Sequence, residues 1–207
     1  YTLSDGKLSF TPSQAGTYTF VYTHTRGNKI VTKTQTVVLA AALSDPLKDD
    51  CASGGNAHVL NNGFTITASI VDTGDSTHPK AWKITNGEPS NPGVRPLLVL
   101  DSDMRKALQN ATKLSFDVKV ELDSSVAAGA SVNLDFGAYK EGAGDNGLGS
   151  WGPRDQVTSS EWKTLSFEGD ALAMLKESGT IWMWFNGSTC NYSYFITNIT
   201  LTVPAQT

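Results

Sequence analysis

Along residues 113–122, KLSFDVKVEL, apolar and polar side chains alternate: Leu114, Phe116, Val118 and Val120 against Ser115, Asp117, Lys119 and Glu121. Successive side chains of a strand point to opposite faces, so a period of two predicts a half-buried strand. Strand patterns recur in LSFT (8–11), TYTFVYT (17–23), KIVTKTQTVVL (29–39), FTITASIV (64–71), KAWKI (80–84), PLLVL (96–100), SVNLDFGAY (131–139), KTLSF (163–167), TIWMWF (180–185) and YFITNITLTV (194–203). All are rich in β-branched and aromatic residues, with Gly, Asn, Asp or Pro between them. Only two segments read as helices. Met104–Asn110 has Ser102 or Asp103 as N-cap; in Asp170–Ser178, Asp170 caps, Leu172 and Leu175 share a face, and Gly179 ends the helix. Many short strands separated by turns predict an all-β sandwich or barrel.

The pattern changes near residue 42. Residues 9–41 read as three long antiparallel strands with few turns, and AALSDPL (41–47) reads as a junction, because Asp45-Pro46 is a turn signal and proline cannot continue a ladder. The expected units are therefore 1–42 and 43–207. AGTYTF (15–20) resembles the tyrosine corner of immunoglobulin-like domains, with Tyr18 at the corner and Phe20 where antibody domains carry Cys. That resemblance covers only the last strands of such a domain and implies a partial immunoglobulin-like antiparallel meander.

Residues 43–203 resemble the galactose-binding-like jelly-roll β-sandwich common among carbohydrate-binding modules. SEWKTLSF (160–167), GTIWMWFNG (179–187) and YFITNITLTV carry the resemblance. It implies non-catalytic binding of a polysaccharide, a plant-type glycan such as β-mannan or xylan, by an accessory module. The parent would be a secreted or surface multimodular protein of bacterial type, with a glycoside hydrolase among its linked domains. The competing reading is a structural or adhesive surface module that binds no glycan. The closing strand of the family often carries an Asp that ligates calcium; Thr197 stands there, which leaves structural calcium open, with Asp45, Asp49 and Asp50 as the nearby oxygen donors. No other cofactor is implied.

Composition narrows the classes further. The 207 residues are 39% hydrophobic with a net charge of -4, a profile of a globular chain rather than of a disordered or nucleic-acid-binding one. No apolar run reaches membrane-spanning length. Cys51 and Cys190 form no CxxC pair, which argues against zinc and leaves a disulfide or two thiols. Asn110, Asn186, Asn191 and Asn198 open N-x-Ser/Thr sequons. Neither a G-x-S-x-G elbow, HExxH nor a phosphate loop is present. His24, His58 and His78 lie on unrelated segments, and the acidic residues Asp101, Asp103, Asp117, Glu121 and Asp135 show no spacing that pairs two of them for hydrolysis.

The candidate chemistry is aromatic. If Ile181, Met183 and Phe185 face the core, Trp182 and Trp184 face away from it, alongside Asn133, Asp135 and Asp117. A sugar ring offers an apolar C–H face and a rim of hydroxyls, so it needs an aromatic plane edged by planar polar groups. The stretch 139–156 holds five glycines and reads as a long loop, with Tyr139 at its start, Trp151 at its tip and Arg154 and Gln156 beyond. Trp82 shares a strand face with Ile84 and flanks the same groove only if its strand lies at that sheet's edge. Trp162 reads as structural. Arg95, in the turn-rich stretch 86–96, is a further group within reach of a ligand.

Overall fold

A computed structural model describes residues 2–4, 7–9, 16–39, 48–51, 57–86, 93–122, 132–157, 160–187 and 192–203. The chain divides into two compact units, 1–44 and 45–207. In the first, β1 (Thr2–Ser4) pairs with β2 (Lys7–Ser9), and β3 (Gly16–Arg26) pairs with β4 (Lys29–Leu39), all antiparallel. The expected three-stranded meander is thus two separate two-stranded sheets among the described residues. The β3–β4 ribbon turns at Gly27, whose φ of 60° suits glycine. The Tyr18 side chain and the junction 41–47 lie outside the described residues.

The second unit contains β5 (Lys48–Asp49), β6 (Ala57–Leu60), β7 (Ile66–Asp72), β8 (Lys80–Asn86), β9 (Gly93–Val94), β10 (Leu97–Leu100), α1 (Ser102–Leu108), β11 (Lys113–Leu122), β12 (Val132–Tyr139), the single turn α2 (Gly144–Gly147), β13 (Leu148–Val157), β14 (Lys163–Phe167), α3 (Gly169–Ser178), β15 (Thr180–Gly187) and β16 (Tyr192–Thr202). One sheet has the order β13-β12-β15-β10-β6, with β9 on β15 beyond β10. The other runs β14-β11-β16-β8-β7, with β5 on β16. The chain passes repeatedly from one sheet to the other, and all pairings are antiparallel. This is an all-β jelly-roll sandwich.

The alternation read from the sequence decides what lies between the sheets. Leu114, Phe116, Val118 and Val120 of β11 meet Leu134 and Phe136 of β12 and Ile181, Met183 and Phe185 of β15 in one buried cluster. Phe116 and Phe136 pack edge-on across the sandwich at 4.7 Å, and Phe185 stacks on Tyr194 at 3.4 Å. Each such side chain stabilises the fold by about 1.5–3 kcal/mol through burial, and each ring pair adds about 0.5–1.5 kcal/mol.

Both expected helices form, with different caps. Asp101, rather than Ser102 or Asp103, caps α1, its carboxylate accepting the N–H groups of Asp103 and Met104. In α3 the N-cap is Glu168, which makes no side-chain cap bond, rather than Asp170. Gly179 ends α3 in the left-handed conformation at φ 63°, its N–H bonding to Leu175 O at 2.7 Å.

Candidate functional site

The site is built on the outer face of the sheet that contains β15. Because Ile181, Met183 and Phe185 fill the core, Trp182 and Trp184 project from the opposite side. Across β12, Asp135 is in register with Trp184 and Gly137 with Trp182. Across β13, Arg154 is in register with Asp135, Trp151 with Gly137, and Gln156 with Asn133. The outer face is therefore a grid of three indoles edged by Arg154, Asp135, Asn133 and Gln156.

A bulge assembles this grid. Between the register pairs Asp135–Arg154 and Gly137–Trp151, β12 has one intervening residue and β13 has two, Gly152 and Pro153. The extra residue puts Trp151 and Arg154, three apart, on one face. A Cβ on Gly152 would overlap the ring of Phe167, so glycine lets the bulge settle onto the core. Gly137 is required for a similar reason: a Cβ there would meet Leu148 Cδ1 at 2.5 Å and Ser150 O at 2.6 Å.

The three indoles form a cluster. Trp151 meets Trp182 edge-to-face at 5.5 Å and 88°, and lies 6.5 Å from Trp184 at 34°. Trp182 and Trp184 are 6.5 Å apart. Their exposures differ: Trp182 is 0% exposed, Trp184 is half-buried, and Trp151 is 40% exposed. Trp182 is covered by the turn after β12, its Nε1 donating to Asp145 O at 3.1 Å. It is a floor for the other two rings rather than an open platform.

Polar groups surround the rings. Arg154 donates from Nε to Asp135 Oδ1 at 2.8 Å, and its guanidinium lies 4.1 Å from the Trp151 ring centre. Gln156 Nε2 donates to Asn133 Oδ1 at 2.9 Å. On the far side, Arg95 lies 5.2 Å from the Trp184 ring and 5.9 Å from the Phe64 ring. Asn62 donates to Arg95 O at 3.1 Å and to Asn146 O at 2.8 Å, tying two loops together beside the cluster. Trp184 Nε1 and Arg95 Nε are buried and make no hydrogen bond among the described residues. Tyr139 is on the same face of β12, and its ring occupies the space that a Cβ on Gly147 would need.

Sequence reasoning placed some residues differently. Trp151 is not at a loop tip; it belongs to β13, a strand that the glycine-rich stretch concealed. Trp82 is on β8 of the opposite sheet and packs against the core, so it does not flank this groove. Asp117 is also on the opposite sheet, where it accepts hydrogen bonds from Thr164 and Asn198 and pairs with His78. There His78 stacks on Trp162 at 4.2 Å. Asn62, Phe64 and Gly137 were not singled out, because their roles come from register and loop contact and not from local pattern.

The acidic residues weighed for hydrolysis are engaged elsewhere. Asp101 caps α1, Asp103 pairs with Lys106, Glu121 with Lys83, and Asp135 with Arg154. For calcium, Asp49 is buried and accepts the Cys51 N–H at 2.8 Å, Asp50 is half-buried, and Asp45 lies outside the described residues. Thr197 is buried beside the Cys51 thiol, and among the described residues no group of three His, Cys, Asp or Glu side chains is placed to hold a metal ion. Cys51 is a buried free thiol, pushed up to about 11 by burial and the neighbouring Asp49 charge. Cys190, its candidate disulfide partner, lies outside the described residues.

No family model matches the sequence, and no curated protein is similar enough to count as a relative. Solved structures similar to this chain include a xylan-binding domain from CBM 22, with 8% identity and a TM-score of 0.49 over 80% of this chain and 99% of that one. Another is the C-terminal family 22 carbohydrate-binding module of Clostridium thermocellum Xyn10B, with 10% identity and a TM-score of 0.48 over 81% and 99%. The CBM22-2 xylan-binding domain from Paenibacillus barcinonensis Xyn10C has 14% identity and a TM-score of 0.47 over 76% and 98%. Among the described residues, no helix is long and apolar enough to cross a membrane.

Proposed function

We propose that the second unit binds polysaccharide non-catalytically on the outer face of the β15 sheet. The observation that carries this is Trp151, 40% exposed on an outer sheet face with two further indoles beside and beneath it. An outer sheet face facing water is ordinarily polar. Three clustered indoles there leave an apolar surface that contact with a ligand removes from water. A pyranose laid on Trp151 places its C–H bonds on the ring and its hydroxyls toward Arg154, Asp135, Asn133 and Gln156. Hydroxyls exchange water for protein at small net gain, so the affinity is modest, with dissociation constants of about 10 µM to 1 mM.

The wider setting belongs to the same reading. The module serves as an accessory of a secreted or surface glycan-degrading protein, holding a linked catalytic domain on its substrate. The first unit is read as closing strands of an immunoglobulin-like spacer, a reading supported by AGTYTF alone.

The test is tryptophan fluorescence with calorimetry, using xylo-, manno- and cello-oligosaccharides of about six sugars. One series should shift the emission, and Trp151→Ala should remove the shift while the variant keeps its native circular dichroism. If no series changes emission or releases heat at about 10 mM, which lies above the expected range, the reading fails.

A further inference from the structure

Among the described residues the charge on this face is unbalanced. Asp135 is committed to Arg154, at 2.8 and 3.4 Å, which cancels one cation against one anion. Among the described residues no carboxylate pairs with Arg95, and its buried Nε makes no hydrogen bond. Two rings, Trp184 and Phe64, flank the guanidinium at 5.2 and 5.9 Å. Its backbone is fixed by Asn62, which donates to Arg95 O, so the side chain is held at the edge of the indole cluster. Arg95 is half-buried, and a guanidinium at the edge of a site is best satisfied by a planar anion that accepts from two N–H groups at once, a geometry that a carboxylate has. A neutral hydroxyl accepts one bond and leaves the charge uncompensated.

We propose that Arg95 is a specificity determinant for glycans bearing carboxylates, that is, uronate-containing chains; this rests on the glycan-binding reading above. Trp184, which Arg95 contacts, is next to Trp151. With one sugar stacked on Trp151, the carboxylate of a neighbouring sugar or of its branch meets the guanidinium. The chain's net charge of -4 makes a local cation on this face a directed feature, because the molecule as a whole repels polyanions.

The experiment compares each acidic oligosaccharide with its own carboxyl-reduced form, equal in size and linkage. One arm uses a xylo-oligosaccharide with a glucuronate branch, the other an oligogalacturonate, so that branch and backbone carboxylates are distinguished. The expected result is that the acidic form binds about tenfold more tightly in about 20 mM NaCl in at least one arm, with the preference shrinking several-fold in about 500 mM NaCl as screening increases. Arg95→Gln should bring the acidic-to-reduced ratio close to one, and Arg95→Lys should restore only part of it. A ratio near one for the unmodified protein overturns the inference and leaves glycan binding standing. A ratio that Arg95→Gln does not change also overturns it. Should that variant fail to fold, the reduced sugars and the salt series decide on the unmodified protein alone. Failure of every acidic and neutral sugar to bind overturns the glycan-binding reading, and this inference with it.

Discussion

The guanidinium of Arg154 lies over the indole of Trp151, 4.1 Å from its centre, although the two are three positions apart on one strand. In a regular strand they would face opposite sides. The bulge at Gly152 and Pro153 brings them together, and the buried Asp135 fixes the guanidinium from below. Arg154→Gln should therefore have two effects. Asp135, only 5% exposed, loses its charged donor, at a cost of about 1–3 kcal/mol in urea unfolding. The Trp151 ring loses its cover, and acrylamide quenching of the native protein should rise.

Trp151 and Trp182 share an edge-to-face contact and differ in role. Trp182, fully buried, should be a stability residue: Trp182→Ala should cost about 3–5 kcal/mol in urea unfolding. Trp151→Ala should cost less, about 2 kcal/mol, because 40% of the residue already meets water, while abolishing glycan binding. Equal stability losses in the two variants would show that Trp151 is core-like.

Gly152 should not tolerate a side chain. Its Cβ would enter the space of the Phe167 ring, so Gly152→Ala should destabilise by about 1–3 kcal/mol through overpacking. Because the bulge aims Trp151, the same substitution should weaken oligosaccharide binding more than the stability loss explains. Calorimetry on the folded variant measures this.

Asp75 provides a pH test outside the site. Its carboxylate accepts from the Thr77 hydroxyl, the Thr77 N–H and the His78 N–H, which lowers its pKa from 3.8 to about 2. A pKa below the unfolded value means that the contribution to stability is complete above about pH 4. It disappears as pH falls through 2. Carboxyl NMR should place the Asp75 midpoint near that value, and Asp75→Asn should flatten the acid limb of the stability curve.

How much of this was legible follows from particular residues. Alternation in TIWMWF sorted Ile181, Met183 and Phe185 from Trp182 and Trp184 correctly, since the side on which a residue falls is fixed by its parity along the strand. The same rule failed for LGSWGPRDQV. Glycine and proline have low strand propensity, and the bulge breaks the period of two, so β13 read as loop. Trp82 and Asp117 were grouped with the wrong face because parity does not say which of two sheets a strand joins.

The sequence by itself determined an all-β fold, its two short helices, and the division of β15 into an Ile181–Met183–Phe185 side and a Trp182–Trp184 side; the packing of the two sheets decided which side fills the core. The tertiary structure decided which indoles meet. Strand order and the Gly152 bulge bring Trp151 over Trp182, set Arg95 against Trp184 and Phe64, and send Trp82 to the opposite sheet. The reason is physical: side-chain parity is a local property of one strand, while neighbours across a sheet are chosen by hydrogen-bonded pairing between segments distant along the chain.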